Sequence, residues 1–232
     1  MRLPGGCIGR GTAAIQLAGP PMTAPAIQLI ETMRVEPGRI IPLLSGHSRR
    51  LRASCAALGH AWPGEPLFQA IRQHAAKLDA VHNYRLRLLL DPNGHYSLES
   101  AILAMTLPPV RLHLSPAALE ADAFWLQHET THRPWYADAQ AWLAQNPEFF
   151  DMVFCNRNDE VCEGSRSNLY IQNAAGAWLT PPLACGLLPG VQRQALLDDG
   201  RVQEARITRH DLLAAKAIRI SNALRGWLAA TL

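Results

Sequence analysis

The chain is poor in lysine, which occurs only at Lys77 and Lys216 among its 22 basic residues. Arginine carries nearly all the positive charge, and the formal net charge is only +3. A charge this small gives no basis for a nucleic-acid partner or a charged membrane surface. No apolar run is long enough to cross a bilayer. We therefore expect neither a nucleic-acid partner nor a membrane segment.

Paired cysteine motifs are also missing. The five cysteines form no C-x-x-C pair, which favours reduced thiols in a cytoplasmic protein.

A hydrophobic content of 48% and a charged content of 18% are typical of a globular chain. A length of 232 residues allows one large domain or two modest ones.

The first 25 residues are rich in Gly, Ala and Pro and have no signal-peptide core. The run Gly5–Gly11 resembles a phosphate loop only faintly, because it lacks the Lys-Ser/Thr ending and a preceding strand. We expect residues 1–25 to be a disordered N-terminal extension. Met22 is then an alternative start of the native chain.

From residue 26 onward, strand and helix patterns alternate. Between 26 and 107, strands are predicted at 27–35, 84–90 and 95–103, and helices at 48–58 and 66–80. Between 110 and 232, strands are predicted at 110–114, 151–156, 168–173, 177–179 and 217–221, and helices at 133–145, 191–199 and 209–215. Pro108-Pro109 favours an extended linker between these parts. The sequence predicts an α+β protein with a small lobe at 26–107, a larger lobe at 110–232, and a cleft between them.

Three clusters in this frame suggest ligand binding. His47–Leu51 places Arg50 at a predicted helix start, where an anion can bind. Glu163–Asn168 forms a tight polar turn between two predicted strands. Gly186–Arg193 opens a helix whose first N–H groups suit a phosphate. Solvated arginines and an ordinary polar turn remain alternatives for the first two clusters.

In this order, the three clusters resemble the motifs of the class IV aminotransferases, the fold-type IV pyridoxal-phosphate enzymes. The opening strand at Glu31–Arg34 and the closing Ser221–Gly226 match as well, so the resemblance extends from about residue 26 to 228. Within the family, Asn222–Gly226 and Thr130–Pro134 are most similar to the aminodeoxychorismate lyases. Branched-chain and D-amino-acid transaminases, which share the other motifs, remain alternatives.

The resemblance implies pyridoxal 5′-phosphate as cofactor, bound between the two lobes. Five residues are expected to bind its phosphate: Arg50, Val191, Gln192, Ser221 and Asn222. Glu163 would pair with the pyridine nitrogen and keep it protonated, Asn168 would support that turn, and Arg225 would meet a substrate carboxylate.

The resemblance also implies a small-molecule amino substrate and a homodimer. In the lyase branch, the products are p-aminobenzoate, used in folate synthesis, and pyruvate. A chorismate-aminating enzyme is then a possible partner.

Position 129 departs from the family pattern. The family has His-Lys-Thr-Thr here, and the lysine forms the Schiff base with the cofactor, whereas this chain has His128-Glu129-Thr130-Thr131. A carboxylate cannot form an imine. The sequence therefore predicts either a lyase-type enzyme of doubtful activity or a cofactor-binding homologue that is catalytically disabled.

The same segment spells the H-E-x-x-H pattern of zinc hydrolases, from His128 to His132. A zinc site needs both histidines on one face of a continuous helix. Pro134 instead predicts that a helix begins near residues 132–134, which leaves His128 and Glu129 in an extended segment. Zinc hydrolysis is thus a remote alternative, and we expect no metal ligands here.

Overall fold

The computed structural model describes residue 1 and residues 26–232. The expected N-terminal extension, apart from residue 1, and the Gly5–Gly11 loop lie outside these residues. None of the helices in the described part is long and apolar enough to span a membrane.

The first half of the chain builds a three-stranded antiparallel sheet in the order β1-β2-β3. Its elements are β1 (Leu29–Val35), α1 (Leu44–Leu58), α2 (Glu65–Ala76), β2 (Tyr84–Leu90) and β3 (Tyr96–Ile102). The alternation within β2 places Leu86, Leu88 and Leu90 in the core with both helices. Arg85 and Arg87 point to the opposite face of the sheet, which becomes one wall of a cavity.

The rest of the chain forms a larger sheet of eight strands, in the order β6-β5-β4-β11-β10-β7-β8-β9. Its strands are β4 (Val110–Leu114), β5 (Asp151–Cys155), β6 (Val161–Gly164), β7 (Asn168–Gln172), β8 (Trp178–Thr180), β9 (Gln203–Glu204), β10 (Ala217–Asn222) and β11 (Gly226–Thr231). The accompanying helices are α3 (Ala123–Leu126), α4 (Ala137–Gln145), α5 (Val191–Asp198) and α6 (Arg209–Leu213). The sequence-based prediction missed α3, β6, β9 and β11. The first three have four residues or fewer, and β11 follows β10 after only three residues.

The larger sheet curls because β6 and β7 are far apart in the strand order yet joined by three residues. The Gly164 N–H donates to the Ser167 carbonyl at 2.7 Å across this turn. The turn therefore lies inside the curl and carries Glu163 on one side and Asn168 on the other.

Helix α1 packs closely on the beginning of α5. A Cβ atom on Gly46 would lie 2.5 Å from Cγ1 of Val191, so only glycine allows this approach. The helix begins at Leu44, and the prediction that Arg50 lies at its start was wrong. Arg50 lies in the second turn, because the helix begins four residues before the predicted position 48.

The segment between α3 and α4 is extended beside β1. The Ile30 N–H donates to the Glu129 carbonyl at 2.8 Å, and the Thr131 N–H donates to the Gln28 carbonyl at 2.9 Å. A short 3-10 helix at Pro134–Tyr136 then leads into α4. A helix therefore begins at Pro134, close to the predicted position, and the H-E-x-x-H residues precede it.

Candidate active site

A cavity of about 360 Å³ lies between the small sheet and the inner side of the larger sheet. Eight of the nine site residues predicted from the sequence line it: Arg50, Glu129, Glu163, Asn168, Val191, Ser221, Asn222 and Arg225. The exception is Gln192, which lines a smaller neighbouring cavity of about 80 Å³ together with His47 and Arg34. Neighbouring residues of one helix turn point in different directions, so Val191 and Gln192 face different cavities.

Arg50 is held by a buried carboxylate that sequence reasoning had not assigned. Its Nε and Nη2 donate to the two oxygens of Glu31 at 2.9 and 2.6 Å. His47 contacts the same carboxylate, with 2.5 Å between Nδ1 and Oε2. Burial alone would raise the pKa of Glu31, but Arg50 and His47 hold it below its ordinary value. This bidentate pairing fixes the guanidinium at the cavity wall.

Glu163 is the buried carboxylate of the cavity, with a residue exposure of 5%. The Tyr136 hydroxyl donates to its Oε1 at 2.8 Å, and the Asn168 amide donates to its Oε2 at 3.2 Å. Burial raises the pKa of Glu163 to about 8, although the Tyr136 hydrogen bond acts in the opposite direction. A cationic ligand group beside it would stabilise the ionised form.

A second buried carboxylate, Asp151, holds the turn that carries Glu163. Its two oxygens accept hydrogen bonds from the hydroxyls of Ser165 and Ser167 at 2.7 and 2.5 Å. Burial nevertheless raises the pKa of Asp151. A Cβ atom on Gly164 would lie 2.2 Å from Oδ2 of Asp151, so the turn requires glycine there.

Asn168 joins this turn to the beginning of α5. Its amide also donates to the Leu188 carbonyl at 3.0 Å. A Cβ atom on Gly190 would lie only 1.9 Å from Oδ1 of Asn168, so glycine is required just before the helix. The first N–H groups of α5 have no acceptor within the helix, and Val191, its first residue, lines the cavity. This end of the cavity suits an anion.

The end of β10 completes this wall. The hydroxyls of Ser221 and Tyr170 are 2.7 Å apart, and Ser221 is buried. The Asn222 amide donates to the Arg166 carbonyl at 3.1 Å, and its oxygen accepts from the Arg225 N–H at 2.8 Å. The Arg225 side chain donates to the Ala104 carbonyl, and burial lowers its pKa. Asn222 thus orders the short turn that carries Arg225.

Arginine dominates the charge of the cavity. Among residues 26–232, six arginines line it, namely Arg50, Arg85, Arg87, Arg133, Arg166 and Arg225, whereas only two lining residues are acidic, Glu129 and Glu163. Two of these arginines, Arg85 and Arg87, come from β2 and had not been assigned a role from the sequence. Such a lining favours ligands with phosphate or carboxylate groups.

Glu129 lies in the extended segment at another side of the cavity. The Arg133 Nη1 donates to its Oε1 at 2.8 Å, and its side chain is 20% exposed. The neighbouring His128 also lines the cavity, with 3.0 Å between its Nδ1 and the Ser54 hydroxyl. Burial lowers the pKa of His128, so its imidazole stays neutral more readily.

The two histidines of the H-E-x-x-H pattern do not form a helical pair. His128 contacts Ser54 and Phe124, whereas the His132 ring lies 5.0 Å from the Trp125 ring. Within residues 26–232, no group of three or more His, Cys, Asp or Glu side chains is arranged to hold a metal ion. The extended backbone at this segment removes the spacing on which a zinc site depends.

No lysine lines the cavity among the residues described. Lys77 is exposed at the C-terminal end of α2, and Lys216 is exposed just before β10. An amine of this chain is therefore not placed at the cavity.

Sequence reasoning had given no site role to Glu31, Tyr136 or Asp151. Glu31 carries a usable signal, because strand alternation places it on the same face as Leu29, Met33 and Val35. An acidic residue on an apolar face needs a buried partner. Tyr136 and Asp151 carry none, since their partners come from distant parts of the chain.

The curled sheet thus encloses an arginine-rich cavity with a buried carboxylate, and these charges suit a small phosphorylated or carboxylated molecule. A family model described as "Amino-transferase class IV" matches residues 28–232. The chain belongs to this family.

Relatives and solved structures agree with this assignment. A curated protein of Schizosaccharomyces pombe, provisionally assigned as an aminodeoxychorismate lyase, is 29% identical over 166 residues, which are 70% of each chain. The crystal structure of a provisionally assigned amino-acid aminotransferase from Mesorhizobium loti has 32% identity and a TM-score of 0.81, covering 89% of this chain and 99% of that one. A hypothetical aminotransferase from Mycobacterium tuberculosis in its PLP-bound form has 21% identity and a TM-score of 0.68, covering 93% and 86%. The predicted fold-type IV α+β fold is confirmed.

Proposed function

We propose that this chain binds pyridoxal 5′-phosphate non-covalently and lacks the lysine-dependent turnover that the family pattern implies. The observation that carries the proposal is the composition of the cavity wall. The wall offers an anion-binding site, formed by Arg50 and the beginning of α5, and a buried carboxylate. Glu129, which the family resemblance places at the position of the expected lysine, lines the same wall. We therefore infer that this chain, although it belongs to an enzyme family, binds the cofactor without using it in lysine-dependent catalysis.

The phosphate would be held at this anion-binding site. Arg50 is pre-oriented by Glu31, and the N-terminal end of α5 supplies unpaired N–H groups. Ser221 and Asn222 line the same wall, and Gln192 would contribute only through its backbone N–H. These groups are hydrogen-bond donors on one wall of the cavity, which supports their role as phosphate ligands.

The ring nitrogen would be met by Glu163. A protonated pyridine nitrogen would stabilise the ionised carboxylate, whose pKa burial otherwise raises to about 8. When bound in such a site, the cofactor supplies an electron sink for reactions at an amino-acid carbon. Asn168 and Tyr136 keep the carboxylate in place through their hydrogen bonds.

The aldehyde end does not fit covalent attachment. Glu129 cannot form an imine, and both lysines are exposed and absent from the cavity wall. We therefore infer that the protein does not catalyse a reaction that depends on one of its own lysines.

The test is reduction with borohydride in the presence of pyridoxal 5′-phosphate, followed by peptide mass mapping. We expect reversible binding that is lost on dialysis and no reduced adduct in the cavity of the native protein. The variant E129K should acquire a stoichiometric adduct at residue 129 and a visible absorbance band. A K77R/K216R background serves as the matched control for labelling of surface lysines.

A specific adduct on Lys77 or Lys216 that abolishes reversible binding would contradict the proposal. Failure of E129K to gain an adduct would mean that residue 129 is not the expected lysine position.

A second candidate is aminodeoxychorismate lyase activity, which the Schizosaccharomyces pombe relative favours. In that case the substrate carboxylates would meet Arg225 or the β2 arginines, and p-aminobenzoate and pyruvate would be released. Chromatography of p-aminobenzoate formed from aminodeoxychorismate, for native protein and E129K, tests this candidate. Turnover by the native protein would replace our first proposal.

The location of the protein, its oligomeric state and its protein partner are also proposals. We propose a cytoplasmic homodimer built from lobes 26–107 and 110–232, with a chorismate-aminating enzyme as a partner if the lyase candidate holds. Light scattering of the full chain, alone and with such an enzyme, tests both associations.

A further inference from the structure

One oxygen of the Glu129 carboxylate is available to a ligand. Oε1 accepts the hydrogen bond from Arg133, whereas Oε2 accepts none from any residue between 26 and 232. Because Glu129 lines the cavity and is partly exposed, this oxygen can accept a hydrogen bond from a bound molecule.

The ligand group that meets this oxygen follows from the position of Glu129, and this step rests on the proposed function. The expected lysine would bond to the one-carbon substituent at C4 of the pyridine ring. That substituent is an aldehyde, an alcohol or an aminomethyl group in the three phosphorylated forms of the cofactor. An aldehyde oxygen is only an acceptor, so beside a carboxylate it finds no hydrogen-bond partner. An aminomethyl group is a cation near neutral pH, because alkyl amines have pKa values near about 10.

We propose that the cavity prefers the amine form, pyridoxamine 5′-phosphate, over the aldehyde form, and that Glu129 determines this specificity. The ammonium group donates a charge-assisted hydrogen bond to Oε2. The replacement of a lysine by a glutamate thus reverses the chemistry of the position. A lysine captures an aldehyde covalently, whereas a glutamate holds an amine as an ion pair.

Phosphate and ring are common to all three forms, so their direct contacts with Arg50, the beginning of α5 and Glu163 are the same in each. The ammonium charge belongs to the amine form alone, and cavity arginines such as Arg50 repel it. We expect the charge-assisted hydrogen bond to Glu129 to outweigh this repulsion, because it acts at contact distance. Arg133 opposes the preference, since it shares the carboxylate with the incoming ammonium group. It uses only one of the two oxygens, which leaves the second for the ligand.

The test measures dissociation constants of the three forms with the full-length protein. Trp125 and Trp135 line the cavity, so their fluorescence reports binding. Pyridoxine 5′-phosphate serves as the neutral, non-covalent reference. We expect the native protein to bind the amine form about tenfold more tightly than the aldehyde form, or better, as for one hydrogen bond between charged groups.

E129Q keeps the size of the side chain but removes its charge, so the ratio should fall close to one, mainly through weaker binding of the amine form. The matched control is E120Q, because Glu120 pairs with Arg157 on the surface, is largely exposed and lies outside the cavity wall. E120Q should keep the native ratio. R133Q should raise it further, because the arginine that shares the Glu129 carboxylate is then removed.

Equal affinities in the native protein, or a preference that persists in E129Q, would overturn the inference while leaving cofactor binding intact. A preference that appears only in R133Q would also overturn it, since Arg133 would then neutralise Glu129 in the native protein. If none of the three forms binds, the proposed function itself fails.

Discussion

The two acidic residues that line the cavity, Glu163 and Glu129, differ in burial and in the number of their hydrogen-bond partners. At the Glu163 end, formed by Glu163, Tyr136 and Asn168, the carboxylate is buried and its turn is locked by Asp151. At the Glu129 end, formed by Glu129 and Arg133, the carboxylate is partly exposed and has one side-chain partner among residues 26–232.

The difference lies in what each residue contributes to the fold. The Glu163 side chain is part of a dense hydrogen-bond network inside the curled sheet, so its replacement disturbs several neighbours. Residue 129 is anchored through its backbone carbonyl, which accepts from the Ile30 N–H. Any side chain permits that contact. The fold can therefore keep its cavity while the chemistry at position 129 changes.

The largest effect should come from filling the space beside Asn168 at the Glu163 end. In Gly190→Ala, the new methyl group would overlap Oδ1 of Asn168. We expect the free energy of unfolding to fall by about 3 kcal/mol, as for overpacking of a close contact. Urea denaturation measures this change.

Gly176→Ala is the control, because nothing lies within 4 Å of the added methyl group and only its positive φ of 84° opposes the change. It should cost about 1 kcal/mol. Equal losses in the two variants would show that the Glu163 end is less tightly packed than the structure indicates.

A smaller effect should appear in the pH dependence of stability. The pKa of Glu163 is raised to about 8 by burial, whereas an unfolded glutamate titrates near about 4.3. Between these values, the folded protein keeps a proton that the unfolded chain has released. Stability due to this group therefore falls as pH rises through this range and levels off above it.

Relative to Glu163→Gln, the native protein should lose on the order of 2 kcal/mol between about pH 6 and pH 7.5. Thermal unfolding of both proteins across this range measures the difference. A difference that does not change with pH would show that Glu163 is ionised throughout.

The smallest effect should come from the Glu129 end. Glu129→Gln weakens an ion pair whose side chains are 20% and 29% exposed, and pairs of this kind contribute about 0–1 kcal/mol. Urea denaturation should show a loss below about 1 kcal/mol. A loss as large as that of Gly190→Ala would remove the contrast between the two ends.

Local patterns in the sequence predicted much of the scaffold. The sequence Asp91-Pro92-Asn93-Gly94 is typical of a tight turn, and the alternation on either side of it predicted the strands at 84–90 and 95–103. In the structure, Asp91 accepts hydrogen bonds from the N–H groups of Asn93 and His95. The strand at Val110–Leu114 was predicted with the observed bounds. Such elements depend on neighbours in sequence, so one chain suffices to predict them.

Most of the candidate site could also be predicted from the sequence, because short motifs mark it. The turn at Glu163–Asn168 and the helix start at Val191 were identified from small residues and glycines that allow close approach. Gln192 faced another cavity because the side-chain direction within one helical turn depends on how α5 packs against α1. A short motif does not contain that information.

By itself, the sequence determined the local elements, the absence of a lysine at position 129 and the residue types available to the cavity. Only the tertiary structure decided which charges meet. It paired Arg50 with Glu31 across 19 positions, Tyr136 with Glu163 across 27, and Ser167 with Asp151 across 16. It also left one oxygen of Glu129 without a partner among the residues described. Such pairings depend on distances between strands and helices that are remote in sequence, and the packing of the whole chain sets those distances.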